Sequence, residues 1–354
     1  MDRIEIEMVA RSGDVRAQIA LAQRLEKEGQ HAMARGLFAN SARLGANDAL
    51  RMLALNLLLF PPFEHDDGVN MLKIAGDRGD ADALHYCGMI AARDESLTDH
   101  YAVMLDYLLL SAEKNNAPAR SQLRLLAEMP EENSDWQVAR SRIDLAKWTG
   151  VPEGKRLNEE PHVEIFENFL RPELCDWFIA KAAPRLTRAT VYNPNTGNSG
   201  IKNDIRTNTT AEFPFLESDA LFMMTQARIL TAAKLGDSRL EDPGILHYAT
   251  GEEFADHFDF LNPAEPTFAA EIAKKGQRIG TFLIYLNDSF EGGETHFPDL
   301  DIRFRGKKGD AILFSNVDAN GDPSWKTRHA GRAPTSGEKW LLSQWIREAP
   351  ETQS

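Results

Sequence analysis

The chain has 354 residues, a formal net charge of −14 and a pI near 5.2. Its length favours about two domains, and an acidic balance without any lysine- or arginine-rich block argues against nucleic acid or an anionic membrane surface as the main partner. The opening MDRIEIEMVARSGD has acids where a secretory signal needs a basic start and an apolar core, and no later segment approaches a membrane span. We therefore expect a cytoplasmic protein.

The chain contains 2 cysteines, Cys87 and Cys175. They are too far apart to suggest a disulfide framework or a metal cluster, and we predict that they belong to different domains. We interpret both as small buried apolar residues.

Residues 8–128 have a helical pattern with an internal repeat. Four stretches line up, GDVRA at 13, GANDA at 45, GDADA at 79 and NNAPA at 115, with spacings of 32, 34 and 36. Such stretches are expected where a Gly or Asn ends one helix and an acid or Asn caps the next. A period near 34 is typical of stacked helical hairpins. This half resembles tetratricopeptide-like repeats of the Sel type, with a plain helical bundle as the alternative.

The pattern changes after a connector at residues 129–160. The connector combines an amphipathic segment from Trp136 to Trp148 with a stretch rich in Pro, Gly and charge. Beyond it, period-two segments such as IGTFLIYLND, DAILFS and KWLLSQWI predict short strands, while residues 172–186 and 216–236 stay helical. Helices followed by many short strands predict an α+β multidomain protein. We predict a repeat domain at 1–128, a helix and linker at 129–160, and a jelly-roll domain with flanking helices at 161–354.

The stretch DHFDF places His257 and Asp259 two residues apart in a predicted strand. Residues at this spacing face the same way, so the pair would project together while Phe254, Phe258 and Phe260 project to the other face. A carboxylate facing into a jelly roll is costly unless a cation or several donors satisfy it. The pair therefore needs a third ligand.

The third ligand is predicted to be His329. Among the later histidines, only this one lies in a second strand-like run far along the chain, TRHAGRAP, where a jelly roll returns a distant strand to the first. Two histidines and one carboxylate on one face of a metal are typical of non-heme Fe(II) oxygenases. The open face can hold a bidentate 2-oxo acid and dioxygen. Zinc could also occupy such a site in a purified sample, as an inactive metal.

A 2-oxo acid with a second carboxylate also needs a cation at fixed reach. Lys339 could supply it, with Tyr285 as a hydrogen-bond donor beside it. Arg332 is the alternative cation.

Residues from about Pro161 to Arg347 resemble the prolyl 4-hydroxylase family of Fe(II)/2-oxoglutarate-dependent dioxygenases. The resemblance rests on HVEIFENFLRPELCDWFI, DIRTN, HYATGEEFADHFD, RIGTFLIYLNDSFEGGETHFP, KKGDAILFSN and HAGRAPTSGEKWLLSQWIR. It implies a double-stranded β-helix, that is, a jelly roll. It also implies that the iron ligands are His257, Asp259 and His329.

The same resemblance implies further roles at the site. Lys339 would form a salt bridge to the distal carboxylate of 2-oxoglutarate, and Tyr248 and Tyr285 match family tyrosines that line the co-substrate pocket. Thr327 replaces a position usually held by serine, and His296 is expected to be structural. The Gly- and Asn-rich residues 191–208 are predicted to form a mobile loop near the site.

We accordingly expect an enzyme that uses Fe(II), 2-oxoglutarate, O2 and ascorbate to hydroxylate an unactivated C–H bond, with succinate and CO2 as co-products. The resemblance favours a prolyl residue of a peptide or protein as the substrate. Stacked helical hairpins would offer a concave surface to dock it. The alternatives are a hydroxylase of a free amino acid or small molecule, with the repeats serving dimerisation, and a non-catalytic scaffold or sensor.

Overall fold

The computed structural model describes residues 3–94, 96–130, 132–192, 199–201, 204–234 and 239–348. The chain divides into two compact units, Met1–Leu145 and Ala146–Ser354. Part of the predicted mobile loop, at 193–198 and 202–203, lies outside the described residues. The three-part division at 128 and 160 stays a prediction.

The first unit is made of helices, and their order follows the predicted repeat. The helices are α1 (Arg3–Arg11), α2 (Val15–Lys27), α3 (His31–Arg43), α4 (Asn47–Leu59), α5 (His65–Asp77), α6 (Ala81–Ala91), α7 (His100–Glu113), α8 (Ala117–Leu126) and α9 (Trp136–Arg142). The four repeated stretches are the turns inside the pairs α1–α2, α3–α4, α5–α6 and α7–α8. None of the described helices is long and apolar enough to cross a membrane.

The repeated stretches turn the chain in the same way each time. The residues with left-handed backbone are Gly13, Gly45, Gly79 and Asn115, with φ of +93°, +95°, +93° and +70°. Glycine and asparagine tolerate this conformation, which ends a helix. Asp14, Asp80 and Asn116 then cap the next helix by accepting a hydrogen bond from a backbone N–H three residues on. At the second stretch Ala46 makes no side-chain cap. The predicted alternation of helix and turn is confirmed.

The segment from Trp136 to Trp148 differs from its prediction. It forms two helices, α9 and α10 (Leu145–Thr149), rather than one. Ile143 lies between them with φ −76° and ψ 113°, and its side chain is buried. Because this backbone is extended, it ends α9.

The second unit is a β-rich domain with three further helices. The helices are α11 (Pro172–Ala182), α12 (Ala220–Ala233) and α13 (Pro266–Lys275). The strands are β1 (Lys155–Asn158), β2 (Val163–Phe166), β3 (Thr187–Arg188), β4 (Val191–Tyr192), β5 (Ser199–Ile201), β6 (Thr209–Glu212), β7 (Arg239–Leu240), β8 (Gly244–Tyr248), β9 (Phe254–His257), β10 (Arg278–Tyr285), β11 (Phe290–Gly292), β12 (Thr295–Phe297), β13 (Ile302–Phe304), β14 (Ala311–Ser315), β15 (His329–Gly331), β16 (Pro334–Gly337) and β17 (Lys339–Arg347).

Two antiparallel sheets position the site. The major sheet has the order β1-β2-β14-β10-β17-β8-β6-β3, with β7 also paired to β17, and the minor sheet has the order β13-β12-β15-β9. One core cluster joins them, since Leu283 and Phe314 of the major sheet pack with Phe297 of the minor sheet. This arrangement confirms the predicted jelly-roll fold.

Both cysteines are buried and unpaired. Burial raises the pKa of each thiol to about 12. They therefore behave as the small apolar residues that the sequence indicates.

Candidate active site

Two strands of the minor sheet bring the predicted metal ligands together. In the antiparallel pair β9–β15, His257 lies directly opposite His329, and Asp259 follows β9 two residues later. The Nε2 atoms of His257 and His329 lie 3.5 Å from Oδ1 and Oδ2 of Asp259, respectively. Within the described residues these side chains form the one group of three or more His, Cys, Asp or Glu whose ligand atoms could hold a metal ion.

Local backbone contacts orient both imidazole rings. Nδ1 of His257 lies 2.8 Å from the carbonyl oxygen of Ala255, and Nδ1 of His329 lies 3.0 Å from that of Thr327. A carbonyl only accepts hydrogen bonds, so each Nδ1 carries a proton, and in the neutral ring the free lone pair is on Nε2. These lone pairs belong to the nitrogens that face Asp259.

The charges of the cluster suit a divalent cation. Burial, assisted by the neighbouring His257, lowers the pKa of His329 to about 4, so this ring is neutral at pH 7. Burial acts to raise the pKa of Asp259, but His329, His257 and the Thr281 hydroxyl outweigh it and hold the pKa below its usual range. A buried, ionised carboxylate beside the neutral ring of His329 needs a cation. Nitrogen and oxygen donors in this number fit ferrous iron.

The orientation of Phe254 beside the cluster differs from its prediction. Phe254 was expected to face away from His257, but its ring stacks on the imidazole with centroids 3.4 Å apart and an interplanar angle of 10°. The pairing of β9 with β15 shifts register between His329 and Gly331, and such an irregularity breaks the simple alternation of faces. The guanidinium of Arg206 lies 4.6 Å from the centroid of the same phenyl ring.

A cavity leads to the cluster, and His257, Asp259 and His329 are among the residues that line it. Its apolar wall comes from both sheets, and its polar residues include Arg206, Tyr248 and Thr295. Tyr248 is buried, and that burial raises the pKa of its phenol. The cavity is thus a mostly apolar chamber with a few polar groups, as expected for a small-molecule site.

Lys339 is a fully buried lysine that contacts Tyr248, one of the residues that line this chamber. Its exposed fraction is 0%, and its Nζ donates to the carbonyl oxygen of Gly293 at 3.0 Å and lies 4.2 Å from the centroid of the Tyr248 ring. Across the described part of the chain, no carboxylate lies within salt-bridge distance of Nζ. Burial lowers the pKa of Lys339 to about 7. A buried cation with this surrounding is suited to an anionic ligand.

The hydroxyl of Tyr285 is hydrogen-bonded to other groups of the protein. Its hydroxyl donates to the carbonyl oxygen of Phe304 at 2.8 Å and lies 2.9 Å from Oγ1 of Thr295. Thr295, which the sequence did not single out, lines the cavity, whereas Tyr285 does not. The role of Tyr285 as a donor to a co-substrate stays a prediction.

Arg332 and His296 form a separate group. The guanidinium of Arg332 lies 3.0 Å from Nδ1 of His296 and 3.1 Å from Oδ1 of Asp256. Neither residue lines the cavity. Arg332 is paired with Asp256, whereas Lys339 has no carboxylate partner among the described residues and contacts Tyr248, which lines the cavity. The structure therefore favours Lys339 as the cation near the chamber.

Comparisons with known proteins agree with this geometry. The sequence profile of the 2OG-Fe(II) oxygenase superfamily matches residues 243–347. Prolyl 4-hydroxylase 1 of Arabidopsis thaliana is 33% identical over 202 residues, covering 53% of this chain and 69% of the relative. Prolyl 4-hydroxylase subunit alpha-1 of Rattus norvegicus is 33% identical over 197 residues, covering 54% of this chain and 35% of the subunit.

A solved structure is also similar. The crystal structure of a viral collagen prolyl hydroxylase from Paramecium Bursaria Chlorella virus-1, in complex with 2OG, is 26% identical, with a TM-score of 0.41. The match covers 53% of this chain and 96% of the viral one.

Proposed function

Because the chain belongs to the prolyl 4-hydroxylase family of Fe(II)/2-oxoglutarate-dependent dioxygenases, we propose that it hydroxylates a prolyl residue of a peptide or protein. Its cofactors are Fe(II), 2-oxoglutarate and O2. The observation that carries the proposal is the buried cluster of His257, Asp259 and His329 next to a buried lysine that lacks a carboxylate partner among the described residues. When bound, the iron and 2-oxoglutarate supply oxidation of a C–H bond to an alcohol by dioxygen, with release of succinate and CO2.

We assign the metal to the two Nε2 atoms and the carboxylate of Asp259. The fold holds these donors in place before a metal arrives, since the Nδ1 atoms are fixed by Ala255 and Thr327. Three protein ligands leave the remaining coordination positions for co-substrate and dioxygen.

We assign the distal carboxylate of 2-oxoglutarate to Lys339. The ammonium lies inside the fold, where a charge-assisted hydrogen bond gains strength from the low dielectric. Tyr248 packs against this ammonium and would shield the ion pair from water. The apolar wall from Leu246, Leu283 and Leu341 would exclude water from the chain of the co-substrate.

We assign the substrate to the part of the cavity that Arg206 lines. Two observations support a macromolecular substrate: the cavity is open to solvent, and the first unit is a series of helical hairpins of the kind that bind extended peptides along a concave face. We propose that these hairpins dock the substrate. A cytoplasmic location, an oligomeric state and a need for ascorbate stay predictions.

The test supplies purified protein with Fe(II), 2-oxoglutarate and isotopically heavy dioxygen, together with lysate of its own organism. Mass spectrometry then locates label beyond succinate. We expect label in proline of one or a few proteins, absent from a sample of Asp259→Ala run alongside. Label confined to small molecules would refute the protein substrate, and equal label with the Asp259→Ala variant would refute the metal assignment.

A further inference from the structure

A chain of two hydrogen bonds ends on the metal-binding carboxylate. The hydroxyl of Thr281 donates to Oδ2 of Asp259 at 2.7 Å, and Nδ2 of Asn316 donates to the same hydroxyl at 2.9 Å. The exposed fractions of Asp259, Thr281 and Asn316 are 6%, 1% and 0%, so water does not compete with these contacts. We call this set the Thr281–Asn316 relay.

The relay has a fixed direction. An amide nitrogen only donates, so Asn316 occupies a lone pair of the Thr281 oxygen. The single hydroxyl proton of Thr281 is then left for Asp259, whose carboxylate oxygen accepts it at 2.7 Å. If Oδ1 and Nδ2 of Asn316 changed places, the Thr281 hydroxyl would donate to Oδ1, and Asp259 would lack this donor.

The two residues come from the major sheet, whereas the metal ligands come from β9, β15 and the segment after β9. Thr281 lies in β10, and Asn316 directly follows β14, the strand paired with β10. The backbone of Asn316 is held on both sides, since its N–H donates to Ile279 at 2.9 Å and its carbonyl accepts from Ser324 at 3.0 Å. The relay therefore ties the carboxylate to a rigid part of the opposite sheet.

Packing alone does not account for an amide at position 316. Its Oδ1 is buried and has no hydrogen-bond partner within the described residues, and an unsatisfied buried acceptor costs about 1–3 kcal/mol. The side chain thus makes one contact of consequence, the bond to Thr281. An amide that costs stability and serves a single hydroxyl beside a metal ligand indicates a role in the site.

We propose that Thr281 and Asn316 are positioning residues that hold Asp259 in its metal-binding orientation, with Asn316 acting through Thr281. The proposal rests on the metal assignment made above. Partners that orient metal ligands in this way typically change metal affinity by about ten- to a hundredfold when they are removed.

The test measures binding of Mn(II), a redox-stable substitute for Fe(II), to the metal-free full chain by calorimetry. Thr281→Val removes the hydroxyl but keeps the branched shape, and we expect affinity to fall about ten- to a hundredfold. Thr281→Ser keeps the hydroxyl and is expected to stay within about threefold of the unaltered protein. Equal affinity of the Val and unaltered proteins would overturn the proposal.

Asn316→Leu separates an effect on Mn(II) affinity from an effect on the stability of the fold. Because it removes an unsatisfied buried acceptor, we expect a melting temperature equal to or above that of the unaltered protein, together with weaker Mn(II) binding. In the background of Thr281→Val, adding Asn316→Leu should cause no further loss, since Asn316 acts through the missing hydroxyl. Additive losses would overturn the relay, as would a loss of melting temperature without a loss of affinity.

The outcomes also separate the relay from the metal site. If the unaltered protein does not bind Mn(II), the metal assignment fails and the relay fails with it. If the unaltered protein binds Mn(II) and Thr281→Val binds equally well, the relay alone fails.

Discussion

Replacing Lys339 with methionine tests how the protein recognises its co-substrate. The change keeps the length of the side chain and removes its charge at a position that is 0% exposed. A hydrogen bond to a charged group contributes about 1.5–3 kcal/mol, which corresponds to about a ten- to hundredfold loss of 2-oxoglutarate affinity. Iron binding should be unaffected, since Lys339 is not one of the metal-ligand residues.

The pH dependence of 2-oxoglutarate affinity is a second test of the role of Lys339. With no co-substrate bound, burial lowers the pKa of Lys339 to about 7, so the folded protein loses this proton as the pH rises above 7. The bound carboxylate favours the charged ammonium, and binding therefore takes up a proton. Affinity should be full well below pH 7 and fall about tenfold per pH unit well above it. The methionine variant should lack this dependence.

The assay is calorimetric titration of the Mn(II)-loaded protein with 2-oxoglutarate at pH 6, 7 and 8. Lys274→Met, a change at an exposed lysine of α13, is the control and should match the unaltered protein. Melting of the metal-free Lys339→Met variant checks folding, and we expect a rise, because an unpaired buried charge is removed. The reasoning is refuted if Lys339→Met keeps its affinity within about threefold, or if the unaltered protein binds equally at pH 6 and pH 8.

Three further changes test other parts of the site. Arg332→Gln should leave 2-oxoglutarate affinity unchanged in the same titration, because this guanidinium is paired outside the cavity; a tenfold loss, equal to about 1.4 kcal/mol, would contradict that placement. Phe254→Ala removes the ring stacked on His257 and should weaken Mn(II) binding about two- to tenfold. Unchanged affinity would show that the stack has no part in orienting the His257 ring. Gly309→Ala should lower the melting temperature by about 4 °C or more. Gly309 has φ +91°, and an added Cβ would overlap the carbonyl oxygen of Leu170. A melting temperature within about 1 °C of that of the unaltered protein would refute the strain argument.

Some parts of the site could be predicted because they follow from strand periodicity and chain order. The two-residue spacing predicted that the side chains of His257 and Asp259 converge, which they do although Asp259 lies beyond the end of β9. A distant strand carrying His329 completes the group. The orientation of Phe254 could not be predicted, because it depends on a register shift against β15 that has no pattern in the sequence. Alternation describes a regular strand, and an irregular pair departs from it.

The relay residues were missed for a different reason. Thr281 lies in an apolar strand and Asn316 directly follows another, and a single hydroxyl or amide is not conspicuous in such a sequence. Their contacts join residues separated by 22 and 35 positions, and such pairs are decided by how the sheets face each other. The helical unit was easier to predict because its turns are local and repeat the same chemistry, as Gly13 and Gly79 show.

The backbone contact of the His329 ring affects whether protons are released when a metal binds. Nδ1 of His329 keeps its proton on the carbonyl of Thr327, its Nε2 is unprotonated at neutral pH, and Asp259 is already ionised. A metal ion that binds these two residues near pH 7 displaces no proton from either of them. Lys339, in contrast, gains a proton when its anion arrives. Loading of the metal at these two residues is therefore insensitive to pH near neutrality, whereas capture of the co-substrate weakens as the pH rises. A pH response of the enzyme above neutrality would arise at the second step.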